Sequence, residues 1–242
     1  MKNLFLFLFL LVVFTSKAQD NRVSGLNSRQ FTKYWKVESE SPDYKVTFQG
    51  DTAEIVSPKG LTLWRKEKMS GKVTIEYDAC VVVESDGDRL SDLNCFWMAS
   101  DPQYPDNLWK REKWRSGIFL NCYSLQLYYL GYGGNHNSTT RFRRYDGDES
   151  GITNPKARPA ILKEYTDAGH LLKPNHWYHI KITNENNRVS YYIDGERLVD
   201  FRDAEPLREG WFGFRTTLSR TRITNFSYEC SSQEATAVPL QW

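Results

Sequence analysis

The chain has 242 residues, with 32 Lys and Arg against 30 Asp and Glu, and aromatic rings make up 14% of it. So even a balance excludes the basic surplus of a nucleic-acid protein. The length allows one large domain with a proper core.

The N-terminus reads as an export signal. Lys2 is followed by the apolar run Leu4 to Phe14, then by Ser16-Lys17-Ala18. The run is about half the length of a membrane span, and a small-residue cleavage site follows it. The expected organisation is a leader over residues 1–18 and a single domain over 19–242, secreted or periplasmic, with no membrane span. Losing Lys2 and Lys17 with the leader brings the formal charge of +2 to about zero.

Beyond the leader, the dominant period is two. Val73–Glu84 alternates and is rich in β-branched residues. Arg89–Pro102 follows, with Asp92 and Asn94 alternating with Leu93 and Cys95, then Trp97. Residues 99–116 carry no clear alternation and read as a long loop or short helical turns. Ser124–Tyr132 is another strand, which places Gln126, Tyr128 and Tyr132 on one face and Leu125, Leu127 and Tyr129 on the other. Tyr129–Asp148 packs four rings, one histidine, three arginines and, before the arginines, three glycines into a short span. Its glycines, Gly131, Gly133 and Gly134, allow close backbone approach to a ligand, with a strand expected to follow. Residues 146–175 again read as loop. His176–Thr183, Arg188–Asp194 and Gly210–Thr217 complete the strands, with Asp194-Gly195 a strong hairpin signal. In the last strand Phe212 and Phe214 point to a core, and Trp211 and Arg215 point the opposite way. The expected architecture is an all-β sandwich of two antiparallel sheets.

Cys80, Cys95, Cys122 and Cys230 lack metal-ligand spacing. They are either buried free thiols or disulfides in one of three pairings. No cofactor is expected. Ser85-Asp86-Gly87-Asp88 has too few spaced acids for a recognised calcium motif and reads as a turn, a structural calcium ion being the alternative. His176 and His179 flank Trp177 on a strand and read as structural. His170 has no assigned role, and His136 sits in the polar, ring-rich loop.

An oily face backed by one of Tyr, Trp, Gln and Arg suits a flat, hydroxylated ligand. Sugar C–H faces lie on Trp97 or Trp211, and hydroxyls need amides such as Asn94, Gln126, Asn135 and Asn137. Arg141, Arg143, Arg144 and Arg215 together call for an anion, with Asp146, Asp148 and Glu149 as the internal alternative. An acidic oligosaccharide or polysaccharide is therefore the expected partner, with Arg141, Arg144 and Arg215 on its carboxylate. The oligomeric state is not legible.

The strings SDLNCFWMASDP, YYLGYGGNHNSTTRFRRYDGD and EGWFGFRTTLSRTRITNF resemble a secreted bacterial family catalogued as a domain of unknown function. The resemblance covers roughly residues 30–229. It implies a concanavalin-like jelly roll found in gene clusters that degrade uronate-containing polysaccharides such as ulvan or rhamnogalacturonan. One member type is an ulvan oligosaccharide dehydratase. A glycosidase needs two placed carboxylates, for which Asp92 and Asp146 are the candidates. β-Elimination instead needs a neutralised carboxylate, a base and an acid. The expected reaction is thus that of a carbon–oxygen lyase, with His136 as base and Tyr132 or Tyr128 as acid. The alternatives are a non-catalytic carbohydrate-binding protein and a glycoside hydrolase on the same scaffold.

Overall fold

Strands whose two faces are both apolar need cover on both sides, and the fold supplies it by layering. A computed structural model describes residues 23–231; the expected leader, residues 1–18, lies outside them. Fourteen strands follow one another: β1 (Val23–Ser24), β2 (Trp35–Ser39), β3 (Lys45–Gln49), β4 (Thr52–Arg65), β5 (Met69–Ser70), β6 (Lys72–Val81) and β7 (Leu93–Ser100). Then come β8 (Gln126–Gly133), β9 (Thr139–Asp146), β10 (Lys163–Tyr165), β11 (Tyr178–Glu185), β12 (Arg188–Ile193), β13 (Glu196–Arg202) and β14 (Glu209–Ser231). All pair antiparallel.

Two long strands are shared between the layers. Gly213–Thr217 of β14 pairs with Gly60–Trp64 of β4, whereas Ser219–Ile223 pairs with Ala53–Ser57. The register shifts between these two runs, where Leu218 takes a positive φ of 49°. The first half of β14 also pairs with β7 and the second half with β6. One layer therefore runs β10-β9-β8-β7-β14-β4-β2, and the other runs β3-β4-β14-β6-β11-β12-β13. This is a jelly-roll-type antiparallel sandwich, as the alternation predicts.

The main core lies between the layers. Phe212, Phe214, Trp97, Tyr128, Leu130, Tyr132 and Phe142 come from one side; Ile75, Tyr77, Ile180, Ile182 and Tyr191 come from the other. Ring contacts cross the gap, Tyr77 to Phe214 at 4.8 Å and Trp97 to Tyr191 at 6.1 Å between centroids. The Asp194-Gly195 hairpin has φ of 50° and 84° at its two residues, as such a turn requires.

A second apolar cluster covers the outer face of the first layer. Trp64, Phe96, Leu127, Tyr129, Tyr145 and Trp211 lie there beneath a segment between β7 and β8 that brings Leu108, Cys122, Tyr123 and Leu125. The segment forms short helical turns at Leu108–Arg111, Glu112–Arg115 and Leu120–Ser124. Its anchor is Arg115, fully buried, whose Nε and Nη2 donate to the Glu38 carboxylate at 3.2 and 3.0 Å. Arg111 adds a two-bond pair to Asp101 at 2.7 and 2.8 Å. All four cysteines are free thiols: Cys80, Cys95 and Cys122 are buried and Cys230 is half-buried. No helix among the described residues is long and apolar enough to cross a membrane.

Candidate functional site

The covering segment leaves part of the first layer's outer face open. There a cleft of about 490 Å³ is lined by Arg89, Asp92, Asn94, Tyr129, Gly131, the turn from Gly134 to His136, Arg141, Arg143 and Arg215. Its walls add Glu40, Phe119, Tyr123, Arg158 and Thr217.

Strand register builds the floor. Arg215 of β14 faces Asn94 of β7, Asn94 faces Gly131 of β8, and Gly131 faces Arg141 of β9. Residues opposite one another on antiparallel strands share a face, so this polar row crosses the cleft from side to side. Gly131 leaves a hollow in the row, and the phenol of Tyr129 lies over it. A Cβ at Gly131 would stand 2.2 Å from the Tyr129 Oη.

Charge in the cleft is lopsided: five arginines face two carboxylates, Glu40 and Asp92. Arg89 Nη1 donates to Asp92 Oδ2 at 2.8 Å, and Arg215 Nη2 stands 3.9 Å from Glu40 Oε1. Arg215, only 4% exposed, also donates to the Gly117 carbonyl. Arg141 reaches Glu164 outside the cleft at 2.5 Å. Arg143 donates to the Pro159 carbonyl and Arg158 to the Gly151 carbonyl, and among the described residues neither meets a carboxylate. The Oδ1 of Asn94, a residue 7% exposed, is buried and has no hydrogen-bond partner among the described residues.

Besides Tyr123 and the carboxylates of Glu40 and Asp92, the cleft holds two groups that can move protons. Tyr129 Oη makes no hydrogen bond among the described residues, and its ring is packed by Phe96, Phe119 and Tyr145. Burial, then the charge of Asp92, pushes its phenol above the ordinary tyrosine value, while Arg215 and Arg143 pull the other way. His136 is exposed at the tip of the turn between β8 and β9, where Asn135 and His136 have left-handed φ of 51° and 58°.

The structure thus brings His136, Arg141, Arg215, Asn94 and Asn135 together. It places the other expected residues elsewhere, and the two faces of β8 are reversed from expectation. Tyr128 is fully buried between the layers, where its hydroxyl donates to Asp203 Oδ2 at 2.7 Å. Arg144 joins the same carboxylate through Nε at 2.7 Å, away from the cleft. Tyr132 points inward and donates to the Leu171 carbonyl at 3.2 Å. Trp97 is fully buried in the main core. Trp211 lies under the covering segment and donates to the Lys66 carbonyl at 3.2 Å. Gln126, at the start of β8, faces Ser100 and Asp146 and does not line the cleft.

Both faces of β8 are apolar and covered, so alternation alone does not say which face meets a ligand. Tyr129 shares its face with Gly131 by the period of two, and that pairing was the available signal. The same period separates Arg141 and Arg143 from Arg144. Arg89 and Arg158 sit in loops, where no period applies.

Outside the cleft, His179 Nδ1 pairs with Asp78 at 2.7 Å and His176 stacks edge-on against Tyr178. His170 lies between Asp167 and Glu196. In the Ser85–Asp88 loop, Asp88 Oδ2 accepts the amides of Glu84 and Ser85 at 2.8 and 3.0 Å, which closes a turn.

The family described as "Domain of unknown function (DUF6250)" matches residues 55–226. No curated protein matches the sequence. Among solved structures, the chain is similar to the carbohydrate-binding module CBM66 from Bacillus subtilis, with a TM-score of 0.54 at 17% identity, covering 81% of this chain and 94% of that one. A Bacillus subtilis protein of unknown function with a galectin-like fold gives a TM-score of 0.66 at 14% identity, covering 86% and 93%. The exoplasmic/lumenal domain of VIP36, in a Ca2+/Man3GlcNAc-bound form, gives 0.58 at 9% identity, covering 90% and 91%. At these identities the likeness establishes the fold.

Proposed function

We propose that this chain, which belongs to the DUF6250 family, is a carbon–oxygen lyase that acts by β-elimination on uronate-containing oligosaccharides. The carrying observation is one cleft that holds an arginine surplus, an imidazole and a phenol with no hydrogen-bond partner among the described residues. Arg215, Arg143 and Arg141 bind the carboxylate of the sugar and draw charge from its α-carbon, which makes the α-proton removable. A ring nitrogen of His136 takes that proton. The electron pair forms a carbon–carbon double bond, the carbon–oxygen bond on the neighbouring carbon breaks, and Tyr129 protonates the departing oxygen. If that oxygen was a hydroxyl, the product is water and the enzyme is a dehydratase; if it linked the next sugar, the chain is cut.

The raised Tyr129 phenol suits a donor, because it stays protonated at neutral pH. A glycosidase is less well served. Glu40 and Asp92, the two cleft carboxylates, each face a guanidinium group, and Asp146 lies outside the cleft. Binding without turnover is the second reading. It is supported by two of the similar structures, a carbohydrate-binding module and a lumenal domain in a Ca2+/Man3GlcNAc-bound form. A secreted or periplasmic location follows from either reading, because such glycans lie outside the cell.

The test incubates the mature protein with uronate polysaccharides and their lyase-generated oligosaccharides. Ultraviolet absorbance follows new double bonds, and mass spectrometry follows water loss and chain length. A new double bond that appears about 10²-fold or more slowly in both His136→Ala and Tyr129→Phe supports the elimination. Near-normal turnover in His136→Ala removes that residue as base. Binding with unchanged sugars throughout replaces the lyase by the binding module.

A further inference from the structure

The turn between β8 and β9 holds three successive residues in the left-handed region, with φ of 51°, 58° and 57° at Asn135, His136 and Asn137. Asn takes this conformation more readily than most residues with a Cβ, but three in succession need support. Part of it is local, from Ser138 Oγ to the Asn135 carbonyl at 2.7 Å and from Asn135 Nδ2 to Thr139 Oγ1 at 3.1 Å, and the rest comes from outside the turn.

Asn135 and His136 line the cleft; Asn137 does not. Its side chain faces the other way, onto the segment after His170. There Nδ2 donates to the Leu172 carbonyl at 2.9 Å and Oδ1 accepts from the Leu172 amide at 2.8 Å. One amide side chain thereby satisfies both backbone groups of one residue, as a neighbouring strand would. The base of the turn is tied to the same segment. Thr140 Oγ1 donates to the His170 carbonyl at 2.6 Å and accepts from the Gly133 amide at 3.2 Å. Leu172 packs so closely on Gly133 that a Cβ there would lie 2.3 Å from its Cδ1. The imidazole of His136, by contrast, makes no hydrogen bond among the described residues and depends on its backbone for direction.

We infer that Asn137 is a positioning residue, which holds His136 toward the cleft by clamping the turn to Leu172. The inference rests on the reading of His136 as proton acceptor. It assigns residues 170–172, outside the cleft, a part in the reaction.

The experiment compares Asn137→Gly with Asn137→Asp. Glycine keeps the left-handed backbone and removes both bonds; aspartate keeps the acceptor for the Leu172 amide. In Asn137→Gly, kcat should fall about 10²-fold, with KM for the uronate oligosaccharide unchanged because the arginines are untouched. Asn137→Asp should recover part of kcat. Wild-type kcat in Asn137→Gly overturns the proposal. So does a rise in KM together with loss of thermal stability that aspartate does not relieve, since that marks a merely structural residue. The imidazole resonances of His136, with and without a uronate oligosaccharide, separate this proposal from the lyase reading. If the wild-type protein binds but does not turn over, a single ligand-sensitive signal that broadens and stops responding in Asn137→Gly still supports the clamp. An identical signal in both proteins overturns it.

Discussion

Two tyrosines adjacent in sequence have opposite fates. Tyr129 presents its hydroxyl to the cleft, whereas Tyr128 donates to Asp203, whose carboxylate also takes Arg144 Nε at 2.7 Å. Asp203 is 5% exposed, and its Oδ1 accepts the Glu205 amide at 3.0 Å. This cluster ties β8 and β9 to the loop before β14. Removing the carboxylate leaves a buried phenol and a guanidinium group without their acceptor. Asp203→Ala should therefore lower stability by about 3 kcal/mol, measured by urea denaturation. Affinity for an acidic oligosaccharide should stay as in the wild type. An affinity loss that matches Arg215→Ala would instead return Arg144 to the ligand.

Strands decide the cleft through register. The row Arg215, Asn94, Gly131, Arg141 needs four strands in alignment, and at its centre the absence of a side chain is the functional property. Gly131→Ala would place a methyl group 2.2 Å from the Tyr129 hydroxyl and must displace it. Turnover should fall about as far as in Tyr129→Phe, while carboxylate binding persists; rates and calorimetric affinities measured together test this. Legibility followed the same geometry. β6 and β11 alternate openly, and β8 and β12 could be read as strands from their β-prone composition although their faces could not. β4 could not, because Pro58-Lys59-Gly60 looks like a turn, yet the strand runs through it where the two layers part company. The arginines of β9 could be seen as a cluster, but choosing between Arg143 and Arg144 required the face. The face of β8 depended on the segment at 101–125, whose cover over half the sheet is a tertiary fact.

Across the molecule, buried ionisable groups set how stability responds to pH. Burial raises Tyr77, Tyr145 and Tyr191 well above the ordinary tyrosine value, and pushes the thiols of Cys95 and Cys122 up to about 12. Each group has a higher pKa folded than unfolded. Its stabilising effect is therefore complete below the unfolded value and is lost as pH rises toward the folded one. Denaturation midpoints should be flat in these groups below about pH 8 and should drop steadily above about pH 9, where unfolded thiols and then phenols ionise. A midpoint that holds to pH 12 would mean that these groups ionise in place.

β14 stands at the centre of both layers, and it is the last strand of the described chain. A ribosome delivers it after everything it must hold together. β4, β6 and β7 have only their outer neighbours until Glu209–Ser231 emerges, and that strand then closes contacts with residues as distant as Ala53. Contacts so remote along the chain make folding slow. Until Glu209–Ser231 has been made, β7 and β6 have no strand between them, and the two layers cannot close into the sandwich.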